Sequence, residues 1–139
     1  MARKIFIDTS AWISYSLSGQ PKHSTIKNII RQFIKEYVTI CTSNDVIDET
    51  ITRFIYSTNI KIAKKFINLI NDGAKNNNFV QLWVDEEIQT QAFELVQKYS
   101  EHSLSLTDAT TIALMQKFSI EEIVSLDSDF KKVGISTLP

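Results

Sequence analysis

The stretch Lys4-Ile5-Phe6-Ile7-Asp8-Thr9-Ser10 decides the fold. Lys4 to Ile7 is a short apolar run rich in β-branched side chains, which suits a buried strand. Asp8, Thr9 and Ser10 end it abruptly with residues that favour a strand terminus and the cap of a following helix. The expectation is a first strand with a polar end, leading directly into a helix.

The same alternation continues along the chain. Pro21 can open a second helix, in which Ile26, Ile29, Ile30, Phe33, Ile34 and Tyr37 recur at helical spacing. Val38 to Cys41 reads as strand two. Ser43, Asn44 and Asp45 then supply cap chemistry for a helix carrying Ile47, Ile51, Phe54 and Ile55. Ala63, Phe66, Ile67 and Ile70 mark a further helix, expected to stop near Gly73 and the asparagine run Asn76 to Asn78. Phe79 to Val84, Trp83 included, is the third strand. The acids Asp85, Glu86 and Glu87 favour a helix start, followed by the stripe Ile88, Ala92, Leu95, Val96 and Tyr99. Ser105 or Thr107 caps a helix whose Ile112 to Met115 run is apolar on several faces. Ile123 to Leu126 is strand four, Asp127-Ser128-Asp129 turns the chain, and Ile135 to Leu138 adds a fifth, edge strand.

Strands alternating with helices imply an α/β fold, a central parallel sheet of four to five strands covered on both faces. Ligands of such sheets bind beyond the carboxyl ends of the strands, where strand order reverses. With the order 3-2-1-4-5, that point falls between strands one and four, which end near Asp8 and Asp127.

Composition narrows the chemistry. The chain has 139 residues, 43% hydrophobic and 22% charged, which fits one compact domain over residues 1–139 and excludes a disordered segment. No apolar run approaches the ~18 residues of a membrane span and no signal-like segment opens the chain, so a cytoplasmic protein is expected. Cys41 is the sole cysteine and His23 and His102 are the only histidines, too few ligands for a usual zinc site. Gly19, Gly73 and Gly134 are the only glycines, which excludes a Walker A loop and a Gly-rich dinucleotide fingerprint. The net charge of −1 does not announce a nucleic-acid ligand. If four carboxylates are gathered in one metal site, however, the remaining surface is basic.

Asp8, Glu49, Asp108 and Asp127 are those four. Asp8 and Asp127 end strands one and four, Glu49 lies in the helix after strand two, and Asp108 opens a helix. All can reach one edge of the sheet. An all-carboxylate set suits hard ions such as Mg²⁺ or Mn²⁺, which keep several waters and share phosphate oxygens. The chemistry that follows is hydrolysis of a phosphate ester by a metal-activated water. Each acid also has a plainer reading: Asp8 as a helix cap, Asp108 as a first-turn charge, Glu49 as a solvated side chain, Asp127 with Asp129 as a turn. Arg53 follows Glu49 by one helical turn and suits an ion pair with it or, less favoured, contact with a phosphate. Lys131 and Lys132 are candidates for a phosphate-binding rim. Trp12 and Tyr15 share a helix face that suits core packing better than base stacking.

Four segments carry a resemblance: Ile5 to Ser10, Thr42 to Thr50, Leu104 to Ala109, and Val124 to Phe130. In this order and spacing they resemble the PIN-domain nucleases, and within them the VapC-type toxins of toxin–antitoxin pairs. The resemblance implies a three-layer α/β/α PIN-like fold with strand order 3-2-1-4-5. It makes Asp8, Glu49, Asp108 and Asp127 the catalytic and metal-site acids, Asp129 an accessory acid, and Ser10 or Thr9 a supporting hydroxyl. It selects Glu49 over Asp48, since neighbours on a helix differ by ~100° and only one can face the site. The implied activity is Mg²⁺- or Mn²⁺-dependent endonucleolytic cleavage of RNA with one or two ions. The implied partners are an RNA substrate, a small antitoxin covering the acidic site and an apolar groove near Trp12, and a second copy of the chain. A housekeeping RNA-processing nuclease and a non-catalytic RNA-binding module are the alternatives.

Overall fold

The structure is a computed structural model and describes residues 3–75 and 79–139. The expected turn at Asn76 to Asn78 lies outside the described residues. Element order is β1 (Lys4–Ile7), α1 (Thr9–Ser16), α2 (His23–Lys35), β2 (Thr39–Ser43), α3 (Asn44–Tyr56), α4 (Ile60–Lys75) and β3 (Phe79–Leu82). Then come α5 (Glu86–Lys98), a 3₁₀ turn (Ser100–His102), α6 (Leu106–Lys117), β4 (Glu122–Val124), α7 (Asp129–Lys132) and β5 (Ser136–Leu138).

Among the described residues the five strands form one sheet in the order β3-β2-β1-β4-β5. All four pairings are parallel. Right-handed crossovers put α1 to α4 on one face and α5 to α7 on the other. Helix packing follows that division, with α1 against α2 and α3, α3 against α4, and α5 against α6, and the two groups meet where α3 touches α6. β1 is central, and Ile5, Phe6 and Ile7 are fully buried. On the first face Trp12 anchors the core: its ring meets Phe66 edge-on at 5.4 Å and stacks on Phe79 at 5.9 Å. Gly73 is buried in α4 because a Cβ there would collide with the Phe79 ring. The expected stop at Gly73 therefore gives way to a helix running to Lys75.

Several side chains depart from the sequence expectation. The α2 stripe ends before Tyr37, which has φ 58° and is 83% exposed. Pro21 precedes the helix, which begins at His23. Trp83 lies past the end of β3 and is exposed, as are Ile55 and Ile67 on the outer faces of their helices. The Asp127 turn continues into a short helix, α7, rather than passing directly to β5.

Candidate metal centre

Caps aim the site residues. Asp8 is the N-cap of α1: its Oδ1 accepts from the Ala11 N–H at 3.1 Å and from the Ser10 hydroxyl at 2.7 Å. Its Oδ2 accepts from the Ser125 hydroxyl at 2.6 Å. The capping reading of Asp8 is realised, and the cap fixes a carboxylate at the sheet edge. Ser43 caps α3, which carries Glu49, and Ser105 caps α6, which carries Asp108 in its first turn.

These elements converge on a pocket of about 110 Å³. Asp8, Glu49, Asp108 and Asp127 all line it, together with Thr9, Ser10 and Arg53. Asp108, Asp127 and Asp129 each offer a carboxylate oxygen, and those three oxygens lie within 4.8 Å of one another. Asp8 shares their pocket but spends both its oxygens on hydrogen bonds within the fold. Glu49 is drawn toward Arg53, whose guanidinium is 3.8 Å from its carboxylate. Lys132 approaches Asp129 at 3.5 Å, and Lys131 is exposed outside the pocket lining.

The electrostatics are those of crowded acids. Burial raises the pKa of Asp8 to about 6; hydrogen bonds from Ser125, Ser10 and Ala11 oppose the rise, and the Asp127 charge adds to it. Burial raises Asp108 to about 6 as well, with further upward pushes from Asp127, Asp8 and Asp129. A cation placed among these oxygens would relieve both effects. The donors are all oxygen and their spacing suits two or more ligands on one hard ion, so the residues fit a divalent cation of the Mg²⁺ or Mn²⁺ kind. The Thr9 hydroxyl, buried at the pocket wall without a hydrogen-bond partner, is a further polar group available there.

Two contributors escaped the sequence reading. β4 stops at Val124, so Asp127 lies in the turn beyond it rather than at the strand end. Ser125 is buried between Asp8 and Asp127, donating to Asp8 and accepting from the Asp127 N–H at 2.9 Å. Its signal is a small polar residue at an inward position directly after the apolar pair Ile123-Val124. The single Thr110 hydroxyl proton is shared between the Thr107 carbonyl at 2.9 Å and Asp45 Oδ2 at 3.1 Å, and the second contact ties α6 to α3 just beside Asp108 and Glu49. That contact joins residues far apart in sequence and has no local signature. Trp12, expected near a partner groove, is wholly buried. Its ring neighbour Phe66 instead lines a surface groove with Tyr15, Lys27, Ile62, Lys65 and Leu69.

Fold and site together define a class: parallel α/β proteins with a carboxylate cluster where strand order reverses. The sequence profile of the PIN domain matches residues 5–136, and the chain belongs to that family. It is 28% identical over 131 residues to the 23S rRNA-specific endonuclease VapC20 of Mycobacterium tuberculosis, covering 94% of each chain. The crystal structure of that protein, described as a sarcin-ricin loop cleaving toxin, superposes with a TM-score of 0.78 at 26% identity, over 94% of this chain and 95% of that one. VapBC2 from Rickettsia felis, bound to a DNA fragment from its promoter, matches with a TM-score of 0.72 at 10% identity, over 97% of each chain. FitAcB from Neisseria gonorrhoeae gives 0.63 at 19% identity, over 97% and 96%. These last two likenesses are likenesses of fold.

Proposed function

We propose that this single PIN domain is a cytoplasmic, metal-dependent endoribonuclease and the toxin of a type II toxin–antitoxin pair. The observation that carries the reading is the meeting of Asp8, Glu49, Asp108 and Asp127 at one pocket, in a chain similar along nearly its whole length to an rRNA endonuclease. Asp108, Asp127 and Asp129 would hold a Mg²⁺ or Mn²⁺ ion, with Asp8 and Glu49 completing the acidic wall. When bound, such an ion lowers the pKa of a water and neutralises charge on the phosphodiester. The chain supplies the positioning. Ser10 and Ser125 lock the Asp8 carboxylate from opposite sides, and Ser125 fixes the Asp127 backbone at the same time. Asp45 and Thr110 hold the helices bearing Glu49 and Asp108 together. Arg53, at the pocket edge, is a cation for a substrate phosphate once released from its loose contact with Glu49.

The partners proposed are an RNA, a small antitoxin, and a second copy of the chain. The groove lined by Tyr15, Lys27, Ile62 and Phe66 offers the antitoxin an apolar floor with basic sides. The sarcin-ricin loop of 23S rRNA, the target named for the mycobacterial relative, is the first RNA to test. Ribosomes and protein-free RNA incubated with wild type or Asp8→Asn under Mg²⁺, Mn²⁺ or EDTA provide the test. Cleavage that needs both metal and Asp8 is expected. Cleavage that persists in EDTA, or at an equal rate in the variant, would overturn the reading, and RNA binding without cleavage would favour a non-catalytic module.

A further inference from the structure

A second groove, of about 400 Å³, runs along the outer side of α3 and shares Glu49, Arg53 and Thr107 with the acidic pocket. Its far wall is Asp48, Thr52 and Tyr56, one helical turn apart in succession and therefore one stripe of α3. Tyr56 is 83% exposed, so the fold gains little from this ring. An exposed ring beside a charged groove that opens into an acidic site has the chemistry of a stacking platform.

We propose that this groove is a base-binding subsite for the nucleotide adjoining the scissile phosphate in single-stranded RNA, with Tyr56 stacking on the base and Asp48 reading its edge. The inference rests on the ribonuclease reading above. Arg53 stands where the two pockets join, and so meets the phosphate linking that nucleotide to the reacting one. Arg53 pairs with Glu49 rather than with Asp48. Asp48 accepts only a weak 3.4 Å contact from the Thr52 hydroxyl, which leaves its carboxylate free for a ligand. Carboxylate oxygens are acceptors only, so the subsite selects a base by its donors. Guanine presents N1–H and the N2 amine side by side and matches both oxygens. Uracil places N3–H between two carbonyl oxygens that a carboxylate repels. Guanine is therefore favoured and uracil disfavoured.

Binding tests this without requiring turnover. Two fluorescein-labelled pentanucleotide RNAs, differing only in a central guanine or uracil, are titrated by anisotropy in Mg²⁺ against Asp8→Asn protein, alone and combined with Tyr56→Ala, Tyr56→Phe or Asp48→Asn. The guanine RNA is expected to bind more tightly. Tyr56→Ala should weaken it by about tenfold, the scale of one lost base–aromatic stack, and Tyr56→Phe should restore it. Asp48→Asn should remove most of the difference between the two RNAs. Both positions are on the surface, so these variants fold. Equal affinity for the two RNAs, or Tyr56→Ala binding as tightly as its parent, would overturn the subsite. The nuclease reading stands or falls separately, on metal-dependent cleavage by wild type.

Discussion

Replacing Asp8 by asparagine keeps the side-chain shape and removes a charge, and its effect on stability separates a strained metal ligand from a simple cap. Burial holds the folded-state pKa near 6 against an ordinary 3.8, so the ionised carboxylate costs the metal-free fold about 3 kcal/mol at neutral pH. The asparagine oxygen still accepts from Ser10 and Ala11, so the cap survives. Its amide cannot accept the Ser125 hydroxyl, which costs ~1 kcal/mol. The Ser10 oxygen lies 3.4 Å from that of Ser125 and offers the displaced proton a partner. The net expectation is a gain of about 1–2 kcal/mol at pH 7.5 in EDTA, or ~3–6 °C in Tm. Because the folded state holds this proton more tightly than the unfolded chain, the contribution of Asp8 to wild-type stability is fully present below pH 3.8 and is lost as pH rises through about 6. The advantage of Asp8→Asn should therefore shrink steadily from pH 7 to 4. Millimolar Mn²⁺ should reverse the order, stabilising wild type by ~2.7 kcal/mol at a hundredfold excess over its Kd and the variant by less. Thermal melts followed by circular dichroism at each pH, with and without Mn²⁺, measure all of this. A variant less stable than wild type at pH 7.5 in EDTA, or a difference constant between pH 4 and 7, would refute the reasoning.

Four further outcomes follow from individual contacts. Ser125→Ala should reduce cleavage by one to two orders of magnitude, since it frees both Asp8 and the Asp127 backbone, while costing only about 1–3 kcal/mol in a denaturant melt. Thr110→Val keeps the buried shape and deletes the tie to Asp45, so single-turnover cleavage should slow more than the melting temperature falls. Glu49→Gln should lower activity measured on the same RNA and weaken Mn²⁺ binding by calorimetry. Gly73→Ala drives a methyl group into the Phe79 ring and its stack on Trp12; a loss of ~1–3 kcal/mol is expected by urea titration.

The sheet was legible because its strands are short apolar runs with polar ends, and the helices because their stripes repeat at 3.6 residues. Boundaries failed where periodicity outlasts the element. Tyr37 sits in phase with Ile30 and Phe33, yet its positive φ ends α2 and turns the ring to solvent. Trp83 prolongs an apolar run beyond the last paired residue of β3, Leu82. In the pocket, the acids stood out because Asp8 directly follows a strand, Glu49 and Asp108 sit in the first two turns of helices, and Asp127 lies in the turn between β4 and α7. Glu49 lines the acidic pocket and Asp48 does not; helix phase lets only one of the two face it, and the resemblance rather than the phase chose which. What stayed hidden were the hydroxyls. Serine and threonine carry no periodic signature, and Ser125 and Thr110 have meaning only through partners brought near by the tertiary fold.

The pairing of β1 with β4 has a consequence for synthesis. Asp8 meets Ser125 across 117 residues of sequence, and its backbone N–H is satisfied by Val124. A ribosome must therefore release nearly the whole domain before the central strand acquires its second neighbour and the acids acquire each other. A chain cut short of Val124 carries Asp8 with neither of these partners, so the acidic pocket closes only at the end of synthesis.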